Sequence, residues 1–173
     1  PRSVRRATVA TSPSETVARQ LVERYGRDRA TTLAVPHGLG AEQRADVSPA
    51  AVRRVATRLR LEGRRWLLYP VITYAHKNHH TLLAAFARLA PDPPDLDLVL
   101  TGGEGPAERD VVADIAARGL DGRVHRLGRV PRDDLDALLV GATAVPFPSR
   151  YEGFGNGVLE AMARGVPVVA ASA

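Results

Sequence analysis

The sequence contains no cysteine. That excludes a disulfide framework and a thiolate metal site, and it fits a reducing compartment. It has one lysine, Lys77, among 24 basic side chains, and arginine supplies the rest. Aromatic residues make up only 5%. A nucleic-acid groove wants basic side chains interleaved with aromatic ones, so this composition argues against nucleic acid as a partner. No apolar run approaches the roughly 18 residues that a membrane-spanning helix needs. No secretory signal is visible, but the chain opens on Pro1, so the start of the protein is expected to lie upstream.

What is present is ordinary for a globular protein: 173 residues, 45% hydrophobic and 25% charged. That length suits one domain, or one domain and a piece of another. The net charge is +5. The arginines at 53, 54, 58, 60, 64, 65, 88, 109 and 118 are spread over helical segments and read as a solvated surface. The alternative is a basic patch that draws an anionic substrate or membrane headgroups. A cytoplasmic location is expected, with peripheral association at the inner membrane surface as its variant.

Short apolar runs alternate with longer amphipathic segments. Strands are predicted over 8–11, 31–35, 66–69, 96–101, 123–127, 142–147 and 166–170. Helices are predicted from Ser12-Pro13 to about Tyr25, from Ser48-Pro49 to about Leu61, and over 81–89, 106–118, 133–139 and 158–164. Ser before Pro marks helix starts; Gly26, Gly119 and Gly165 mark helix ends. The polar stretch 41–46 has no period and reads as a linker. This alternation predicts an α/β fold, a Rossmann-like parallel sheet flanked by helices. Its ligand belongs at the carboxyl ends of the strands. The chain stops just after a strand, which lacks a covering helix, so truncation is expected there too.

The segment Tyr151-Glu152-Gly153-Phe154-Gly155-Asn156-Gly157-Val158-Leu159-Glu160 follows a strand and enters a helix. Its glycines let the backbone approach a ligand closely. The helix start behind them offers unpaired N–H groups to a diphosphate. Glu160, one turn in, can accept hydrogen bonds from a vicinal diol, and Glu152 sits in the loop. On spacing alone, a flexible glycine loop with two surface glutamates is an equal reading. The spacing is not the dinucleotide Gly-x-Gly-x-x-Gly, and the first strand lacks that fingerprint, which disfavours a nicotinamide-dependent oxidoreductase.

The segment resembles the Glu-x7-Glu region of the family 4 glycosyltransferases, which have two Rossmann-like domains (the GT-B fold). Glu152 and Glu160 match its glutamates, and the flank 159–169 matches the common pattern. Asn156 departs from it, since an apolar residue is usual there. Tyr69 to His79 resembles the first strand, loop and helix of the family's donor-binding domain, in which a lysine reaches the donor diphosphate; Lys77 matches it. Many relatives carry an arginine five residues earlier, where this chain has Ile72. Lys77 then acts alone, or another arginine such as Arg150 supplies the second charge. Gly102-Gly103 resembles the turn facing the nucleotide, and Gly128-Arg129-Val130 the turn whose backbone meets the base. Upstream, Val35-Pro36-His37-Gly38 resembles the approach to the inter-domain hinge, with His37 replacing a frequent asparagine.

The resemblance implies the donor half of a retaining glycosyltransferase. Residues 1–45 would be the remnant of the acceptor-side domain and hinge. Residues 46–173 would be the nucleotide-sugar-binding domain, incomplete at its end. The implied catalytic residues are Lys77 and Glu152. The implied donor-binding residues are Glu160, Gly153, Phe154, Gly155, Asn156, Gly157, Val158, Gly102, Gly103 and Val130. The implied donor is a UDP-, GDP- or ADP-sugar, with no further cofactor and no metal. The acceptor would be a glycan, a lipid-linked molecule or a small molecule. The loop His76-Lys77-Asn78 resembles that of mannosyl and other cell-envelope transferases, which points to a hexosyl, and in particular a mannosyl, group. The fragment alone is expected to be inactive, and a module that binds a nucleotide sugar without transferring it is the alternative. His76, His79 and His80 have no paired carboxylate nearby in sequence and the chain has no Cys, which disfavours a metal site; helix capping and surface roles are expected for His79 and His80.

Overall fold

A computed structural model describes residues 2–40 and 46–172. The predicted linker, and with it the expected domain boundary, falls almost wholly outside them. The described residues form two compact units: one of residues 2–40 and 152–156, the other of residues 46–151 and 157–172.

The first unit contains α1 (Arg2–Arg6), β1 (Ala10–Ser12), α2 (Glu15–Tyr25) and β2 (Thr32–Ala34). The short arginine-rich α1 carries no apolar period and was not expected. Strands β1 and β2 run parallel, Ala10 opposite Thr32. Helix α2 starts two residues later than predicted. Its cap is Ser14, whose hydroxyl accepts from the Val17 N–H at 3.3 Å. Ser12 instead belongs to the strand. Gly26, at φ 62°, ends the helix as predicted.

The second unit is built from α3 (Pro49–Arg58), β3 (Arg65–Pro70), α4 (His79–Leu89), β4 (Leu96–Thr101), α5 (Glu108–Ala117), β5 (Val124–Gly128), α6 (Arg132–Val140), β6 (Val145–Phe147), α7 (Asn156–Ala163) and β7 (Val168–Ala170). All strand pairs are parallel. Strand β4 lies between β3 and β5; β6 pairs with β7, and a bridge from Leu67 to Ala144 joins β3 to the approach of β6. The resulting order is β7-β6-β3-β4-β5. The direction of winding reverses between β3 and β6, which makes the crevice above those two strands the place for a ligand. Helix α4 packs with α5 and α3 with α6, as crossovers to the two faces of such a sheet require.

Every residue of β4 is buried. Leu98, Val99 and Leu100 are at most 1% exposed, and burying each such side chain contributes about 1.5–3 kcal/mol. The charged member of β4, Asp97, lies far from the strand's carboxyl end. It accepts from Arg64, Arg123 and His125. Burial alone would raise its carboxyl, but these partners together hold it below the usual range. Trp66 donates its indole N–H to the Leu138 carbonyl at 2.9 Å, which ties β3 to α6.

Candidate functional site

The loops after β3 and β6 are bound to each other at the switch point. Tyr69, fully buried at the end of β3, donates its hydroxyl to the Lys77 carbonyl at 2.6 Å and lies 3.2 Å from the Ser149 hydroxyl. The Asn78 amide donates to the Pro148 carbonyl at 3.0 Å, and the Arg150 N–H donates to the His76 carbonyl at 2.8 Å. Asn78 takes the left-handed conformation, φ 58°, which turns the short helical stretch Ala75–Lys77 into α4.

This arrangement aims the lysine. The Lys77 Nζ stands 5.7 Å from the centroid of the Phe147 ring, within cation–π range. Gly157, in the first turn of α7, lies on the same ring: a Cβ there would meet Phe147 at 3.0 Å. Phe147 thus seats both the ammonium and the first turn of α7, where free N–H groups begin. One turn on, Glu160 lies 3.6 Å from Arg132 at the head of α6, directly after the turn that contains Val130. Arg132 was not singled out in the sequence, because nothing local marks it.

Gly102 and Gly103 follow β4. Gly102 has φ 113°, and a Cβ would lie 2.5 Å from the Val71 carbonyl oxygen. A Cβ on Gly103 would meet only the Arg129 side chain, at 3.0 Å. The turn is held by a polar network that sequence reasoning missed. Arg126 donates to the Gly102 carbonyl at 3.0 Å and pairs with Glu108 at 2.9 Å; Thr73 donates to Glu108 at 2.7 Å and accepts from the Gly105 N–H at 2.7 Å. The hydrogen bond from Arg126 holds the Glu108 carboxyl below its usual range. Three strand ends are tied together in this way.

Glu152, Gly153, Phe154, Gly155 and Asn156 belong to the first unit. Ser14 donates to the Gly153 carbonyl at 2.7 Å, Phe154 packs on the His37 ring at 5.1 Å, and His37 Nδ1 lies 3.1 Å from the Asn156 amide oxygen. His37 and Asn156, the two departures from the family pattern noted in that unit, are therefore partners. The structure brings Lys77, Gly157 and Phe147 together, and Glu160 with the turn after Val130. It places Glu152 to Asn156 with the other body.

His79 differs from expectation, and His80 does not. His79 is 4% exposed, not a surface group; it packs on Tyr69 at 5.0 Å, and burial first, then Arg126, pushes its pKa down to about 4. His80 is exposed and lies 3.0 Å from Asp114. Among the described residues, no group of three His, Asp or Glu side chains could hold a metal ion. No described helix is long and apolar enough to cross a membrane.

Residues 58–173 match the family Glycosyl transferases group 1, and the chain belongs to that family. It is 38% identical over 124 residues to the O-antigen chain mannosyltransferase B of Escherichia coli, covering 70% of this chain and 32% of that protein. It is 30% identical to the 2-deoxystreptamine glucosyltransferase of Streptomyces kanamyceticus, covering 97% of this chain and 43% of that one. Among solved structures, Anabaena Alr3699/HepE in complex with UDP and glucose superposes with a TM-score of 0.86 at 26% identity, over 99% of this chain and 46% of that one. The fold is therefore that of the GT-B glycosyltransferases, and the chain spans 32% to 46% of these relatives' length.

Proposed function

We propose that the full protein transfers a sugar from a nucleoside-diphosphate sugar to an acceptor hydroxyl with retention of configuration, and that this chain carries the donor side. The observation that supports this most is the joint seating of the Lys77 ammonium and the first turn of α7 on Phe147, at the sheet's switch point. A cation and a set of N–H groups held there are placed to take up the charge of a departing diphosphate. Each such preorganised donor contributes roughly 2–4 kcal/mol to lowering the barrier. The anomeric carbon–oxygen bond breaks, the nucleoside diphosphate leaves with the electron pair, and the acceptor oxygen bonds to the same face as it gives its proton to the departing phosphate oxygen.

Glu160 takes the ribose hydroxyls, and the family resemblance assigns Glu152 to the transferred sugar. The backbone of Gly102, Gly103 and Val130 faces the nucleoside. The similarity to mannosyl- and glucosyltransferases favours a hexose, and the His-Lys-Asn loop favours mannose among hexoses. A glycan, a lipid-linked molecule or a small molecule accepts it, with a peripheral membrane contact if the acceptor is lipid-linked. The segment alone binds donor without transferring it, since it spans under half of the relatives' length.

Titration of the full-length protein with UDP, GDP and ADP by calorimetry tests this reading. Lys77→Ala and Glu160→Ala should each weaken the preferred nucleotide about tenfold or more. Unchanged affinity in both variants refutes the site.

A further inference from the structure

Beside this site, and sharing with its candidate residues only Arg150, named above as an alternative second charge for the diphosphate, is a cavity of about 210 Å³ in the second unit. It opens between the loop that precedes α4 and the first turns of α5. Ala75, Ala107 and Val111 supply apolar wall, and Tyr74, 42% exposed, supplies a partly solvated ring. The polar side chains are Asp110, Asp114, Asn78, His79, His80 and Arg150. Asn78, His80 and Asp114 are already engaged with Pro148, Thr81, Arg118 and each other. Among the described residues, the Asp110 and Arg150 side chains form no ion pair. His79 is 96% buried, and its Nδ1 has no hydrogen-bond partner. At a pKa of about 4, its ring is neutral at pH 7.

Size and charge narrow the ligand. The volume is below the roughly 300 Å³ at which drug-sized sites begin, so it holds one ring and not a nucleotide. A phosphate would be repelled by Asp110 and Asp114, and a simple cation by Arg150. A neutral ring of hydroxyls satisfies both ends: it donates to the carboxylate and accepts from the guanidinium. It also has an apolar face to lay on Tyr74 or the alanine wall.

We infer that this cavity is a secondary saccharide site, which takes one hexose-sized neutral ring outside the donor cleft. It rests on the glycosyltransferase reading only for its biological use, to hold a remote residue of the acceptor or product glycan while transfer occurs. The ring could instead come from the donor sugar, and the two sources separate experimentally. The full-length protein is titrated with methyl α-mannoside and methyl α-glucoside, observed by saturation-transfer NMR, with and without saturating UDP.

Binding of at least one glycoside that persists with UDP bound, that is weakened about tenfold by Asp110→Asn and by Tyr74→Ala, and that survives Glu160→Ala, is the expected result. Displacement by UDP places the ring in the donor cleft and overturns the proposal. So does binding of neither glycoside, or binding that both cavity variants leave intact. Failure of UDP to bind at all strikes the donor reading and not this one. Melting curves of the variants show that a lost signal is not lost fold. Asp110 is exposed and outside the core, so its replacement by asparagine leaves the fold unchanged.

Discussion

At the scale of single residues, His79 shows how place overrides type. Three histidines occur within five positions, yet only His79 faces inward from α4, where it packs on Tyr69. With its folded pKa near 4 and an unfolded value near 6.5, the unfolded chain binds the extra proton between those limits. The stability that the neutral ring contributes is complete above about pH 6.5 and is lost as pH falls toward 4. The slope approaches about 1.4 kcal/mol per pH unit within that window. His79→Gln should therefore flatten the loss of stability between pH 7 and pH 5, read as urea midpoints. An unaltered slope would mean that the imidazole is not buried in its neutral form. The lone lysine illustrates the complementary case. Its type marked it as unusual in an arginine-rich chain, and its position over Phe147 is consistent with that reading.

At the scale of elements, the turn after β4 is the clearest test. Gly102 and Gly103 are adjacent and equivalent in the sequence, but the structure makes different demands of them. A methyl group on Gly102 would collide with the Val71 backbone and strain a φ of 113°. On Gly103 it would press only on the flexible arm of Arg129. Gly102→Ala should cost about 2 kcal/mol or more, because neither the clash nor the dihedral can relax locally. Gly103→Ala should cost under about 1 kcal/mol. Equal denaturation midpoints for the two variants would refute the turn geometry. The clamp of Arg126, Glu108 and Thr73 on this turn explains why it holds its shape, and none of those three residues belongs to a local motif.

For the whole molecule, the reversal of strand order between β3 and β6 creates the crevice, and the loops that flank it carry the candidate chemistry. A nucleoside diphosphate that binds there and not to the unfolded chain stabilises the fold by mass action. At a hundredfold excess over its dissociation constant the gain is about 2.7 kcal/mol. For a chain of this size that raises the melting temperature by about 5–10 °C. One of UDP, GDP and ADP should give this shift and thereby name the base. No shift with any of them, in a protein that melts cooperatively, would exclude the donor reading.

Strand and helix order were legible because they rest on local periodicity. The run 96–101 was predicted with its true ends, since a strand buried on both faces is mostly apolar, Asp97 and Thr101 apart. The cap of α2 was misplaced by two residues because Ser12 and Ser14 are locally equivalent. The order β7-β6-β3-β4-β5 needs long-range hydrogen bonding, and no window of sequence contains it. The same holds for the pairing of His37 with Asn156, 119 residues apart, and for the buried state of His79. The sequence by itself determined the parallel α/β class and the candidate residues for a diphosphate, since both follow from residue type and spacing. Only the tertiary structure decided which of those residues share a surface, because that depends on contacts between segments distant along the chain.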